Sequence, residues 1–228
     1  MEGESLKTGE GSRERAQFLQ TLRDQLARGT PANLAHPLPA LEGKPPAVVY
    51  AVGADDLIAT FTSAATELGV LVRPVSRSAI GEVLDEALEL AGVGPVAVTN
   101  EPETAGLPEL LRSRGREVLG ADADPQAVAA ACLGITGAVA GIARSGTVIV
   151  DSGRSGSRLV SLLPPVHLAF LNTPAIVADQ GTFLRALDTA SLPSNLVLIT
   201  GPSRSGDIEL VLTVGVHGPG KLMVALLV

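Results

Sequence analysis

The chain has 228 residues, of which 46% are hydrophobic and only 2% aromatic, and its formal net charge is -7. This length favours one large domain with an aliphatic core, because single domains commonly reach about 200 to 250 residues. The negative charge argues against general nucleic-acid binding, which requires clustered lysines and arginines. No apolar run approaches the roughly 18 residues of a membrane-spanning helix, and the polar N-terminus carries no secretory signal.

The single cysteine, Cys132, excludes an internal disulfide, and it excludes an iron–sulfur cluster or Cys-rich zinc site built by this chain alone. We therefore expect no cofactor in this chain and a cytoplasmic location. Because Cys132 lies in an apolar helical run, we interpret it as a small buried hydrophobe rather than as a reactive thiol.

Residues 1–46 are predicted to form a separate N-terminal segment. Apolar residues from Phe18 onward recur at helical spacing and predict an amphipathic helix to about Arg28. Five prolines between residues 29 and 46 then predict an extended arm. We interpret the segment as a tether or as a contact between copies of the chain in a homo-oligomer.

Residues 47–228 are predicted to form a single α/β domain. Apolar runs at 47–52, 70–75 and 96–99 alternate with amphipathic stretches of about a dozen residues. This alternation predicts an open, mostly parallel sheet with helices on both faces. Before residue 131 only Thr99 and Asn100 suggest a site, because they follow a predicted strand and such sheets bind ligands at the carboxyl ends of strands.

From Gly134 the chain becomes rich in glycine and β-branched residues. Two strands about an R-S-G turn predict a β-hairpin near residues 138–151. The turn joins the ligand site if the hairpin folds over the carboxyl edge of the sheet. The predicted ligand-binding residues of this region are Thr136, Gly137, Ser145, Gly146 and Thr147.

Two glycine-rich loops, at 200–209 and 215–219, give the clearest chemical signal. The first follows a predicted strand and precedes a helix predicted to begin at Asp207, so its N–H groups, its hydroxyls and Arg204 suit a carboxylate or phosphate. On spacing alone an ordinary polar loop fits equally well, because the loop is neither a Walker loop nor a dinucleotide fingerprint. The predicted ligand-binding residues of the two loops are Thr200, Gly201, Pro202, Ser203, Arg204, Ser205 and Gly218.

His217 is the predicted acid–base residue, because it lies among glycines and a proline in the second loop. It fits a simple turn residue equally well. Asp207 and Glu209 are further catalytic candidates, although Asp207 also suits a helix cap and Glu209 a solvated charge. We interpret the other two histidines, His36 and His167, as a surface residue and a structural residue.

Several blocks in residues 134–228 resemble the LUD domain of the LutC/YkgG family, named for lactate utilisation. The blocks are G-I-T-G at 134–137, S-G-T-V-I-V at 145–150, R-L-V-S-L-L-P-P-V-H at 158–167, I-T-G-P-S-R-S-G-D-I-E at 199–209 and G-V-H-G-P at 215–219. The resemblance implies a fold of the NagB/RpiA/CoA-transferase-like superfamily, whose ligands are sugar phosphates, acyl groups and related anions.

The resemblance also implies a LutC-like subunit of an L-lactate oxidation system, which binds a small carboxylate or phosphorylated metabolite or docks to iron–sulfur partner proteins that hold the clusters. Arg144 and Val139 stand where the family usually has acidic residues, which favours a binding subunit over an independent enzyme. The alternatives are a stand-alone transferase or isomerase acting on CoA thioesters or sugar phosphates, and a ligand-free scaffold subunit.

Overall fold

The structure is a computed structural model that describes residues 56–188, 192–205, 213–214 and 217–228, with residues 17, 19–21 and 24 near the N-terminus. The chain divides into two compact units, residues 1–50 and 51–228. The described residues of the first unit are helical. The proline-rich arm, the boundary after residue 46 and the strand at 47–52 lie outside the described residues and stay predictions.

The second unit alternates strands and helices along the described chain. The strands are β1 (Leu71–Val75), β2 (Val96–Val98), β3 (Val118–Leu119), β4 (Leu133–Ala138), β5 (Ala140–Ile142), β6 (Thr147–Asp151), β7 (Val166–Asn172), β8 (Ile176–Val177), β9 (Leu196–Ile199), β10 (Arg204–Ser205), β11 (Thr213–Val214) and β12 (Lys221–Leu227). The helices are α1 (Leu57–Glu67), α2 (Ile80–Ala91), α3 (Leu107–Ser113), α4 (Pro125–Ala129), α5 (Ser152–Ser155), α6 (Leu159–Leu162) and α7 (Gln180–Ala186). Among the described residues, no helix is long and apolar enough to cross a membrane.

A six-stranded sheet forms the centre of this unit, in the order β1-β12-β7-β4-β2-β3, and every neighbouring pair of strands is parallel. Strands β4, β7 and β12 are buried along nearly their whole length, because their aliphatic side chains pack on both faces of the sheet. The predicted open parallel sheet is therefore confirmed.

Helices cover both faces of this sheet, as predicted. On one face, α2 and α3 pack their buried leucines, such as Leu84 and Leu111, against strand residues that include Phe170. On the other face, α1 contributes Phe61 and Ala65, while α4 and α6 pack against β2. The strands consequently expose their two ends rather than their faces.

The predicted hairpin is the centre of a second, four-stranded sheet in the order β8-β5-β6-β9. Strand β5 pairs antiparallel with β6, β9 pairs antiparallel with β6, and β8 runs parallel to β5. Val148 and Ala143 pack in the same cluster as Ala169 and Leu171 of β7. The hairpin therefore covers part of the face of the parallel sheet that α1 also covers.

The turn of the hairpin packs against the backbone of α1. Gly146 adopts the left-handed conformation, with φ of +60°. A Cβ atom at this position would lie 2.3 Å from the backbone nitrogen of Ala65. Glycine is thus required at residue 146 both by the turn and by its contact with the helix.

We expect Gly146→Ala to lower the free energy of unfolding by about 3 kcal/mol or more, because it combines backbone strain with an overpacked contact. Gly106→Ala is the matched control: Gly106 is also left-handed, with φ of +81°, and nothing lies within 4 Å of its Cβ position. Only the backbone cost of about 1 to 2 kcal/mol is expected there. Urea unfolding of both variants measures the difference, and equal losses would contradict this packing of the turn on α1.

Candidate functional site

The carboxyl ends of the parallel strands bring several polar residues to one edge of the sheet. Thr99 and Asn100 follow β2, Gly137 lies near the end of β4, and Asn172 ends β7. Open α/β sheets bind their ligands at this edge. We refer to it below as the carboxyl edge.

Two buried glutamates follow β2 at this edge. Glu101 and Glu103 are only 4% and 8% exposed. Glu101 precedes the short 3-10 helix Pro102–Thr104 and forms a capping box with Thr104, so its burial is tied to the local backbone. Burial raises the pKa of the Glu101 carboxyl, and a hydrogen bond with Thr99 opposes this shift.

Each of these two carboxyl groups retains one buried oxygen, Oε2, that has no hydrogen-bond partner among the described residues. The other oxygen of Glu103 accepts a hydrogen bond from Nδ2 of Asn172, at 3.0 Å. Both glutamates lie against Gly137, where a Cβ atom would be 2.9 Å from Oε2 of Glu103. Glu101 and Glu103 therefore occupy the space that the absent side chain of Gly137 leaves beside β4.

The base of the hairpin brings a cation to the same edge. Strand β6 ends at Asp151, whose Oδ1 accepts a hydrogen bond from the backbone nitrogen of Gly153 and caps α5. Arg154 of that helix then lies with Nη2 at 3.6 Å from Oε2 of Glu103. The distance exceeds that of a hydrogen bond, and the Arg154 side chain remains 43% exposed.

A cleft of about 550 Å³ opens beside Arg154. Two guanidinium groups, those of Arg112 and Arg154, lie in its lining, as do the strand-end residues Thr99 and Asn100. Its remaining lining residues are Val98, Pro108, Val118, Leu119, Gly120, Ala121, Asp122, Ser155 and Gly156. Guanidinium groups bind carboxylate and phosphate through paired hydrogen bonds, so the cleft suits a small anion.

A second depression, of about 680 Å³, lies along α2, and its lining holds four acidic residues and two arginines, Arg114 and Arg116. Arg114 donates a hydrogen bond from Nη2 to Oδ2 of Asp85, at 3.0 Å. The acidic residues there are Glu82, Asp85, Glu86 and Glu89. Negative charge disfavours an anion at this position, so the cleft at the carboxyl edge is the better anion site despite its smaller volume.

The glycine-rich loops predicted from the sequence lie at the opposite edge, where β7 and β12 begin. The backbone nitrogen of Gly220 donates to the carbonyl oxygen of Pro165, just before β7. Ser203 in turn donates its backbone N–H to the carbonyl oxygen of Pro219, and a Cβ atom on Gly218 would contact Ser203. The described parts of the two loops therefore contact each other at the amino edge of the parallel sheet.

Arg204 in the first loop lies against the end of α1. Its Nη2 donates to the carbonyl oxygen of Leu68 at 2.7 Å, and Gly201 packs against the same residue. His217 is exposed. Asp207 and Glu209 lie outside the described residues, and Ser205 is described only as part of β10, so their predicted roles stay predictions.

The hairpin turn joins these loops through a row of hydroxyl groups. Ser145 Oγ lies 2.7 Å from Thr147 Oγ1, which lies 2.8 Å from Thr200 Oγ1. Thr200 precedes Gly201 and Pro202 of the first loop. Ser145, Gly146 and Thr147 therefore lie with the loops, and the part of the hairpin that reaches the carboxyl edge is its base.

Thr136 lies apart from both the residues of the carboxyl edge and the glycine-rich loops. It is fully buried, and its Oγ1 lies 2.9 Å from Nε2 of His167, which is also fully buried. Burial lowers the pKa of His167 to about 4, so the ring is neutral at physiological pH. Cys132 is buried too, and burial raises the pKa of its thiol.

The sequence did not lead us to predict Glu101, Glu103, Arg112 and Arg154 as site residues. One sequence signal pointed to the glutamates: the acidic residues of E-P-E-T directly follow Thr99 and Asn100 at a predicted strand end. Their burial depends on Gly137, and Arg154 reaches them from a distant part of the chain. Neither contact leaves a local pattern in the sequence.

The described residues between 56 and 228 form an open α/β protein with a cleft, lined by two arginines, at the carboxyl edge of a parallel sheet. The chain belongs to the LUD domain family, whose model matches residues 109–227. A DUF162 family protein from Deinococcus radiodurans shares the fold, with a TM-score of 0.60 and 22% identity over 78% of this chain and 99% of that one.

Two curated relatives are both named Lactate utilization protein C. The protein from Bacillus subtilis is 33% identical over 74% of this chain and 77% of its own length. The protein from Anoxybacillus flavithermus is 27% identical over 90% of this chain and 94% of its own length. The similarity thus extends well beyond the region that the family model matches.

The raised pKa of Glu101 gives a prediction for stability. Between its ordinary value of 4.5 and its higher value in the fold, the folded chain binds more protons than the unfolded chain. Stability therefore falls as pH rises through this window. We expect Glu101→Gln, which stays uncharged, to gain stability relative to the native chain as pH rises above the ordinary carboxyl value of 4.5.

Urea unfolding across this pH range measures the difference between the two chains. Glu67→Gln is the control, because it removes the same charge from an exposed position at the end of α1. A difference between the native chain and Glu101→Gln that does not change with pH would contradict the raised pKa.

Proposed function

We propose that this protein is a LutC-like subunit of an L-lactate oxidation system and that it binds a small anionic metabolite at the carboxyl edge. Its membership of the LUD domain family and its similarity to proteins named Lactate utilization protein C support the first part. We propose a component of a lactate dehydrogenase-type complex rather than an enzyme that acts alone.

The cleft that contains Arg112 and Arg154 is the observation that carries the anion site. Both cations belong to α helices that border the cleft, whose lining also holds the polar residues Thr99, Asn100, Asp122 and Ser155. The side chain of Arg112 is 58% exposed, and its ion pair with Glu109 is 3.5 Å long. Such exposed pairs are weak, so the Arg112 guanidinium can reorient towards a bound carboxylate. The Arg154 guanidinium is 43% exposed and forms no hydrogen bond with Glu103, which leaves its donors available to the same ligand.

We propose that iron–sulfur partner proteins carry out the electron transfer. The chain has one cysteine, and its described residues include no group of three or more His, Cys, Asp or Glu that could hold a metal ion.

We expect Arg154→Ala to weaken L-lactate binding at least tenfold, because a charge-assisted hydrogen bond contributes about 1.5 to 3 kcal/mol. Arg204→Ala should change the affinity less than about twofold, since Arg204 lies at the other edge. Arg185→Ala, at an exposed position on α7, controls for the loss of one positive charge. Isothermal titration calorimetry of the full chain measures all four affinities.

Loss of binding in Arg204→Ala with full binding in Arg154→Ala would transfer the anion site to the glycine-rich loops. Equal affinity in all four proteins would contradict both sites. Turnover of CoA thioesters or sugar phosphates by the isolated chain would replace the subunit proposal with the transferase or isomerase alternative.

A further inference from the structure

The cleft lies where the chain leaves two neighbouring strands towards opposite faces of the parallel sheet. Residues 99–106 lead from β2 to α3, which packs in one cluster with Val98. Residues 120–124 lead from β3 to α4, which packs in another cluster with Ala97. Successive strand residues point to opposite faces, so the two connections diverge and leave a crevice between them. In open α/β sheets such a topological switch point is the usual ligand site, and nucleotides are among its ligands.

The cleft is larger than a three-carbon acid requires. Its volume of about 550 Å³ lies within the range of about 300 to 1,000 Å³ that is typical of sites for drug-sized ligands. Besides the two guanidinium groups, its lining has an apolar part, to which Val118 and Leu119 of β3 and Pro108 of α3 belong. A ligand that fills the cleft therefore combines an anionic group with a larger apolar group.

Asp122 adds a carboxylate to the lining, three residues after the end of β3. Its Oδ1 would lie 2.7 Å from a Cβ atom on Gly120, so the absent side chain leaves room for the carboxyl group beside the end of the strand. Asp122 is exposed, and its oxygens accept hydrogen bonds. A carboxylate that follows a strand of such a sheet is the group that binds ribose hydroxyls in dinucleotide-binding folds.

The helix that carries Arg154 is held against the loop that carries Asp122. Gly156 ends this helix with φ of +79°, and a Cβ atom there would lie 3.3 Å from Cβ of Ala121. Arg112 borders the same cleft from α3. The cleft thus presents two cations, one carboxylate and an apolar surface to a single ligand.

We propose that the cleft binds a nucleoside phosphate. Its phosphate contacts the guanidinium groups of Arg112 and Arg154, and its ribose hydroxyls donate hydrogen bonds to the carboxylate of Asp122. Its base packs against Val118 and Leu119. This inference rests on the proposed anion site and goes beyond it, because it assigns the parts of the cleft that L-lactate leaves unfilled. A bound nucleotide and L-lactate then compete for the same guanidinium groups.

Three ligands separate the parts of this contact. The reference is whichever of AMP, GMP, CMP and UMP binds most tightly; its dideoxy analogue lacks the two ribose hydroxyls, and ribose 5-phosphate lacks the base. We expect the native chain to bind the reference nucleotide at least about tenfold more tightly than the dideoxy analogue, because a hydrogen bond to a charged group is lost. A similar loss is expected for ribose 5-phosphate, because apolar contact is lost.

Asp122→Ala tests the ribose contact. The preference for the reference nucleotide over its dideoxy analogue should fall to about twofold or less, because the acceptor is gone. Glu117→Ala is the control: Glu117 is an exposed acid just before β3 that does not line the cleft, so this variant should keep the native preference. Arg154→Ala should weaken all three ligands at least about tenfold, whereas Arg185→Ala should leave them unchanged.

Calorimetry of the full chain with these ligands and with L-lactate decides the question. Equal affinity for the nucleotide and either of the smaller ligands would overturn the inference, as would nucleotide binding that persists in Arg154→Ala. Binding of L-lactate without binding of any of the four nucleotides would overturn the inference and leave the anion site standing. Absence of binding by L-lactate and by all four nucleotides would overturn both.

Discussion

The missing side chain at Gly137 allows two carboxyl groups to be buried against strand β4, and the carboxyl edge is organised around them. A Cβ atom there would lie 2.9 Å from Oε2 and 3.3 Å from Cβ of Glu103, so the carboxyl group would have to move away from the strand. Glu103 is then held by Asn172 from one side and faces Arg154 from the other. The strands that bring these groups together are parallel and buried on both faces, so they position the site rigidly.

The buried glutamates oppose folding, because desolvation disfavours a charged carboxylate. A fold optimised only for stability would have apolar residues at these positions, since uncompensated buried acceptors are rare in proteins. Unfavourable burial of this kind is frequent where a ligand completes the hydrogen bonding. The family resemblance predicted acidic residues at positions 139 and 144. Here Val139 packs beside the second sheet, and Arg144 lies exposed on the hairpin turn. The acidic residues of the carboxyl edge are instead Glu101 and Glu103, in the loop after β2.

The parallel sheet was predictable from the sequence because its strands are short apolar runs, and β1 and β2 lie in the runs at 70–75 and 96–99. Strand β4 was assigned to the hairpin by its glycine-rich composition, but it pairs with β2 and β7 of the parallel sheet. The second sheet was predictable only as far as its hairpin, since β9 joins β6 from a distant part of the chain. The ligand site was predicted at the glycine-rich loops because of their composition. Composition does not show at which edge of the sheet a loop lies. Burial of Glu103 beneath Arg154 is a tertiary contact without a local sequence signal.

The proposed ligand site at the carboxyl edge is the cleft that Arg112 and Arg154 line. A crystal structure of the chain grown with L-lactate tests this location most directly. We expect the lactate carboxylate to lie in this cleft, against the guanidinium groups of Arg112 and Arg154. Lactate bound instead between Ser203 and Gly218 at the amino edge would contradict it.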